Sequence, residues 1–214
     1  MLDFMTIATK PTKEGTEVFP KFKMQKSKDL MIRAKDFYAI WDESRHLWST
    51  DEDDAVHIID AELDRYVQEH SDRINGYTQI KYMWDADSGS IDKFHKYCQK
   101  QMRDNFHSLD TELVFANPEL TRETYASKKL SYPLEKGSYE AFDKLIGTLY
   151  SEEERHKIEW AIGSIVSGDS KHIQKFMVLY GAAGTGKSTI LNIIQELFDG
   201  YYCTFNAKAL GQSN

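Results

Sequence analysis

"FMVLYGAAGTGKSTILNII", residues 176–194, decides how the whole chain is read. Within it "GAAGTGKST", Gly181 to Thr189, satisfies G-x-x-x-x-G-K-[ST], and every fixed position has a physical task. The glycines let the backbone turn through positive φ and bring main-chain N–H groups against phosphate oxygens with no Cβ in the way. Lys187 is predicted to set a point charge on the β and γ phosphates, as the catalytic cation. Ser188 offers its hydroxyl to Mg²⁺, and the amides opening the following helix meet the anion at the positive end of the dipole. The predicted binding set is Gly181, Ala182, Ala183, Gly184, Thr185, Gly186, Lys187, Ser188 and Thr189, with ATP and Mg²⁺ as ligands. Thr185 and Thr189 have the weaker claims: the first shapes the loop, and the second either meets the α-phosphate or supports the helix.

The surroundings match the pattern. "FMVLY", 176–180, reads as a buried strand, and Ile190, Leu191, Ile194, Leu197 and Phe198 fall on one helical stripe. Strand, loop and helix come in the order in which an α/β P-loop NTPase domain opens. Hydrolysis in such a domain also needs a second strand ending in an acid and an arginine for the γ-phosphate. After Lys187 no apolar run closes on an acid; Tyr201–Phe205 is the one short strand candidate. The chain is therefore expected to be the N-terminal part of a longer nucleotide-driven machine, and inactive alone.

Upstream of the loop, two helices are predicted. Ser138 would cap the first, burying Phe142, Leu145, Ile146 and Leu149. Ser151 and Glu154 form an S-x-x-E capping box for the second, with Ile158, Ile162, Ile165 and Val166 on its buried face and Gly168 ending it. A boundary falls near 134–137, because residues 108–138 carry Pro118, Pro133 and Gly137 and lose the helical rhythm, reading as short strands and loops. Further back, Val56, Ile59, Leu63, Tyr66 and Val67 mark a helix whose acidic start, "DEDD", suits the dipole. Phe94, Cys98 and Met102 mark another from Ser90 or Ile91. "DFYAIWDESRHLWST", 36–50, reads as a hairpin whose aromatics either pack a small sheet or stack on bases, core being the favoured reading. Residues 1–36 form an N-terminal arm, 37–136 an accessory domain, and 137–214 the helical lead-in with the start of the NTPase domain. The predicted class is an α+β accessory domain, mainly helical with a small hairpin, followed by the opening of an α/β P-loop NTPase domain.

The 214-residue chain is 41 % hydrophobic and 13 % aromatic, an ordinary globular composition for which disorder is not the default. No apolar run approaches the ~18 to 20 residues of a membrane span, and the start lacks a secretory layout. Two separated cysteines, Cys98 and Cys203, support neither a disulfide framework nor a zinc site, and His95 with Cys98 is too small a ligand set. A reduced cytoplasm, a host's if the protein is viral, fits. The net charge of −7 equals that of residues 51–75 alone, so an acidic total leaves room for a local basic channel.

Taken together, several stretches resemble the superfamily 3 helicases of the phage and plasmid primase-helicase type, relatives of the poxvirus primase-helicase. "LVFANPELTRETYASKKLSYPL" is similar to that family's linker. Residues 139–198 are similar to its helical lead-in with the Walker A element, "FNAKALGQSN" to the segment after the first motor helix, and "YAIWDESRHLWST" to its hairpin before the linker. The resemblance covers most of the chain from about Phe37, with the loop as its sharply specific part. It implies a viral or mobile-element replicative DNA helicase that assembles as a ring, binds ATP between subunits and moves along single-stranded DNA. Roles carry over to Gly181, Gly186, Lys187 and Ser188. Two other functions keep the same loop: a P-loop small-molecule kinase, and a non-enzymatic replication assembly module with an incomplete nucleotide site.

Overall fold

The computed structural model describes residues 2–23, 27–34, 37–74, 77–83, 89–101 and 105–204. Helices and two small sheets make it an α+β structure. The chain divides into two compact units, Met1–Thr111 with Glu119–Lys128, and Glu112–Pro118 with Lys129–Asn214.

In the first unit, β1 (Met5–Pro11) and β2 (Gly15–Phe22) form an antiparallel hairpin, and β2 pairs in parallel with β6 (Tyr77–Ile80). This corrects the predicted arm: Phe4, Met5 and Val18 are buried. Pro11 and Gly15, read as breakers, punctuate the hairpin turn, in which the Thr12 amide donates to the Gly15 carbonyl at 2.7 Å. Pro20 lies beyond Gly15–Val18, the stretch that β6 pairs, so its missing N–H breaks no rung there. At Gly15 (φ 153°) a Cβ would stand 1.8 Å from the Tyr77 carbonyl oxygen, so only glycine admits β6 at this distance.

The second sheet is β3 (Leu30–Ala34), β4 (Phe37–Asp42) and β5 (Leu47–Ser49), all antiparallel, with Trp41 opposite Trp48. Both of its faces are covered. Leu30, Tyr38 and Ile40 join Ala55, Val56 and Ile59 of α1 (Glu52–Glu69) and Phe94 and Cys98 of α2 (Gly89–Gln101). Met31, Ala39, Trp41 and Trp48 pack with Leu109 and Tyr125 on the other side. A strand buried on both faces needs no polar alternation, which is why 38–41 runs apolar without a break. The predicted hairpin is present, and its Trp41 and Trp48 are core residues, 3 % and 2 % exposed. Their indole N–H groups donate to a Glu43 carboxylate oxygen at 2.6 Å and the Arg122 carbonyl at 2.9 Å. Asp51 caps α1, accepting from the Asp53 amide at 3.0 Å, so the acidic run is a helix start. Met102 lies outside the described residues.

The second unit holds α3 (Glu140–Leu149), α4 (Glu152–Val166), the short α5 (Ser170–Ile173) and α6 (Lys187–Leu197) around Ile146, Ile158 and Ile190. The capping box at α4 forms: the Ser151 amide donates to Glu154 at 2.9 Å, and the Glu154 amide to the Ser151 hydroxyl at 3.4 Å. Gly168, at φ 73°, follows the helix. The N-cap position of α3 is Tyr139, with no side-chain bond of its own, while the Ser138 hydroxyl one residue earlier accepts from the Glu140 amide at 3.5 Å. Leu145, Ile165 and Val166 are exposed rather than buried, because three helices cover only part of each other's apolar stripes. Residues 112–134 hold no strand, only loops and one 3-10 turn at Arg122–Thr124; the Leu130 amide donates to the Val114 carbonyl and the Ala116 amide to the Tyr132 carbonyl. The Tyr132 hydroxyl then donates to the Leu197 carbonyl, and the Val114 amide to the Tyr201 hydroxyl, tying this loop to the end of α6.

The buried strand expected at 176–180 is not observed. Among the described residues this stretch pairs with no strand, and Phe176, Val178 and Tyr180 are 86 %, 68 % and 97 % exposed. Only Leu179 packs against the helical core. A strand is defined by its neighbours, and without them the period-two geometry leaves one apolar row in solvent. The α/β sheet of an NTPase domain is accordingly not seen among the described residues. Of the last strand candidate, Tyr201–Cys203 and Thr204 are turn and coil, while Phe205 and the rest of "FNAKALGQSN" lie outside the described residues.

Candidate functional site: the glycine-rich loop

The loop is built where an extended segment bends into α6. Gly181, Gly184 and Gly186 have φ of 152°, 80° and 79°. Gly186 is also the N-cap of α6 and carries no side-chain cap, and a Cβ there would approach Leu149 Cδ1 to 2.8 Å. The end of α3 thus abuts the loop at its one glycine that must be both left-handed and bare. The first backbone bond into α6 is from Ile190 to Gly186, at 3.1 Å, so the amides of Lys187, Ser188 and Thr189 have no acceptor within the helix.

Lys187 turns into the loop. Its Nζ donates to the Gly181 carbonyl at 2.9 Å, the Ala182 carbonyl at 2.5 Å and the Thr185 hydroxyl at 3.2 Å. Thr185 in turn donates to the Ala182 carbonyl at 3.0 Å, so its hydroxyl ties loop and lysine together, as a shaping residue would. Among the described residues no carboxylate pairs with Lys187. Ala182, Ala183, Ser188 and Thr189 are exposed. The nine predicted residues therefore form one turn, 181–186, and the first turn of α6, with the Lys187 ammonium group on the Gly181 and Ala182 carbonyls.

A cavity of about 380 Å³ adjoins the turn, reached by Gly181, Thr185 and Lys187. Its other walls are Leu149 and Tyr150 at the end of α3, Glu154, Lys157 and Ile158 on α4, and the extended 177–180 segment. The sequence reading missed Tyr150 and Lys157, and no local signal marks them: they reach the loop from some thirty residues upstream, through helix packing. The Tyr150 hydroxyl is buried with no hydrogen-bond partner among the described residues. Burial, and secondarily the Glu154 carboxylate, pushes its phenol up. Lys157 is paired with Glu153 at 2.6 Å on exposed surface.

Elsewhere, His95 lies 3.6 Å from Glu52, and Cys98 is buried with its thiol pushed up to about 12 by desolvation. Among the described residues no group of three or more His, Cys, Asp or Glu stands together, and no helix is long and apolar enough to cross a membrane.

No family model, no curated protein and no solved structure matches the chain.

Proposed function

We propose that residues 181–189 bind the polyphosphate of ATP and that the chain belongs to a replicative DNA helicase of the superfamily 3 primase-helicase type. The observation that carries this reading is the inward-turned Lys187, whose Nζ lies on the Gly181 and Ala182 carbonyls at the uncapped start of α6. A cation held over a turn of left-handed glycines, beside orphan amides, suits an anion with several charged oxygens. The donors fit such a group: three first-turn amides lack helical acceptors, and no side chain caps the terminus.

In this reading Lys187 moves its hydrogen bonds from the loop carbonyls to phosphate oxygens, and the loop amides orient the chain of phosphates. Ser188, exposed on the first turn, would hold Mg²⁺, which supplies charge neutralisation between the terminal phosphates when bound. Single-stranded DNA and a ring of identical subunits are the partners that accompany this proposal. Equilibrium titration with Mg-ATP tests it: binding to the unaltered chain, lost in Lys187→Ala, is the expected result.

One observation favours a second reading, the assembly module. The exposed row Phe176, Val178 and Tyr180 is apolar surface of the kind that protein contacts cover. Under that reading the chain binds a replication partner and Lys187→Ala changes nothing measurable.

A further inference from the structure

We infer that the outward face of the sheet β1–β2–β6 binds single-stranded nucleic acid, with Phe19 and Tyr77 stacking on bases and Lys10, Lys21 and Lys81 meeting phosphates. The inference does not rest on the polyphosphate reading of residues 181–189, because this face belongs wholly to the first unit.

The pleat sorts the side chains. Successive residues of a strand point to opposite faces, and register partners point to the same one. Met5, Ile7 and Phe22 face the core shared with Ala55, Val56 and Ile59 of the acidic helix α1, and Val18 on the same face is buried. The alternate residues face away from that core and are not buried: Lys10, Phe19 and Lys21 from the hairpin, Tyr77 from β6, and Lys81 just beyond it. Glu17 is the one acid these strands turn outward, and Lys81 stands 3.9 Å from it. Three lysines against one carboxylate make the face positive, opposite in sign to the chain's total of −7, with the acidic α1 behind the sheet.

Exposed rings are the second feature. Tyr77 is 72 % exposed, and its register partner is Gly15, which has no side chain to cover it. The glycine that the close approach of β6 demands thus also bares the ring beside it. On β2 the Lys21 Nζ stands 5.8 Å from the centre of the Phe19 ring, so a stacking surface and a partner for phosphate are neighbours on one strand. Gly15, beside Tyr77, and Phe19 are four residues apart on β2, which separates the two rings by about 13 Å along the strand direction. A duplex keeps its base faces within its own stack and presents only their edges, so open rings favour a single strand. An acidic peptide would meet the lysines and leave the rings without planar partners.

Fluorescence anisotropy with a labelled oligothymidylate of about 16 nucleotides, on the full chain and in the absence of ATP, tests this. The unaltered protein is expected to bind it about tenfold tighter than a duplex of equal length, or better. Its log affinity should fall with log salt at a slope of about −2, for three neutralised phosphates. Tyr77→Ala should weaken binding about tenfold, and Tyr77→Phe, which keeps the ring, should stay within about twofold of the unaltered protein. Since the side chain is mostly in solvent, neither substitution should lower the melting temperature of the first unit. If Tyr77→Ala does melt lower, the combined Lys10→Ala and Lys21→Ala variant decides: its salt slope should be shallower by about 1.4. An equal affinity for duplex, or full binding by a folded Tyr77→Ala, would mean charge attraction alone and overturns the inference. So does an unchanged slope in the double lysine variant. Failure of the unaltered protein to bind oligothymidylate overturns it too and leaves the loop reading untouched, which Mg-ATP titration tests separately.

Discussion

The two units bury their apolar residues by different means. In the first, sheet β3–β4–β5 is covered on both faces, and Phe94 sits at the centre of an aromatic cluster with Phe4, Phe22 and Tyr38 at centroid distances of 6.1, 4.9 and 5.3 Å. In the second, three helices share a small isoleucine core while the extended segment leading into the loop keeps Phe176, Val178 and Tyr180 in solvent. Among the described residues the closed core leaves no buried side-chain polar atom without a partner, while the second unit keeps a bare helix start, an inward lysine and the Tyr150 hydroxyl. The sheet covered on both faces lies in one unit and the candidate chemistry in the other.

The largest expected effect tests the closed core. Phe94→Ala, at a fully buried position, should cost about 3–5 kcal/mol in denaturant unfolding followed by the tryptophans of the second sheet. Nucleotide binding by the second unit should be unchanged at denaturant-free conditions. A cost below about 1 kcal/mol would erase the contrast between the units.

Gly186→Ala probes the junction of loop and α3. Its φ of 79° and the 2.8 Å approach to Leu149 predict a destabilisation of about 1–2 kcal/mol, read from the melting of the second unit. Unchanged melting would mean that α3 does not constrain the loop.

A pH series sharpens the same comparison. The Cys98 thiol is raised from 9.0 to about 12 by burial, and the Tyr38 phenol is raised by burial as well. Both folded values exceed the unfolded ones, so their contribution is fully present below about pH 9 and is lost as pH rises towards the folded values. For Cys98 alone the loss is about 1.4 kcal/mol for each pH unit above 9. Denaturant midpoints of the first unit should therefore fall between pH 9 and 11, and Cys98→Ala should show a shallower fall. A flat profile would contradict the burial of these groups.

The smallest effect is at a cap. Ser151→Ala removes one arm of the capping box of α4 and should cost about 1 kcal/mol, seen as loss of helicity by circular dichroism on mild heating.

Local signals were legible and long-range ones were not. The capping box at Ser151, the acidic start at Asp51 and the glycine spacing of 181–186 are written in neighbouring residues, and each appears where expected. The hairpin β4–β5 was legible because its turn is short. The β1–β2 hairpin was misread as an arm, since Pro11, Gly15 and Pro20 look alike as breakers of a coil and as punctuation of a hairpin. Its parallel partner β6 lies some sixty residues on, a pairing that no local period announces. At 176–180 the composition spoke for a strand, but a strand needs partners, and none is present among the described residues. The loop half of the candidate site was thus readable to the residue, whereas Tyr150 and Lys157 come to it only through the packing of α3 and α4.

Direct titration of the unaltered chain and of Lys187→Ala with Mg-ATP tests the central claim that the turn at 181–189 holds polyphosphate. The account expects saturable one-to-one binding that weakens by about a hundredfold or more when the ammonium group is removed. Equal affinity of the two proteins, or no binding by either, would contradict it.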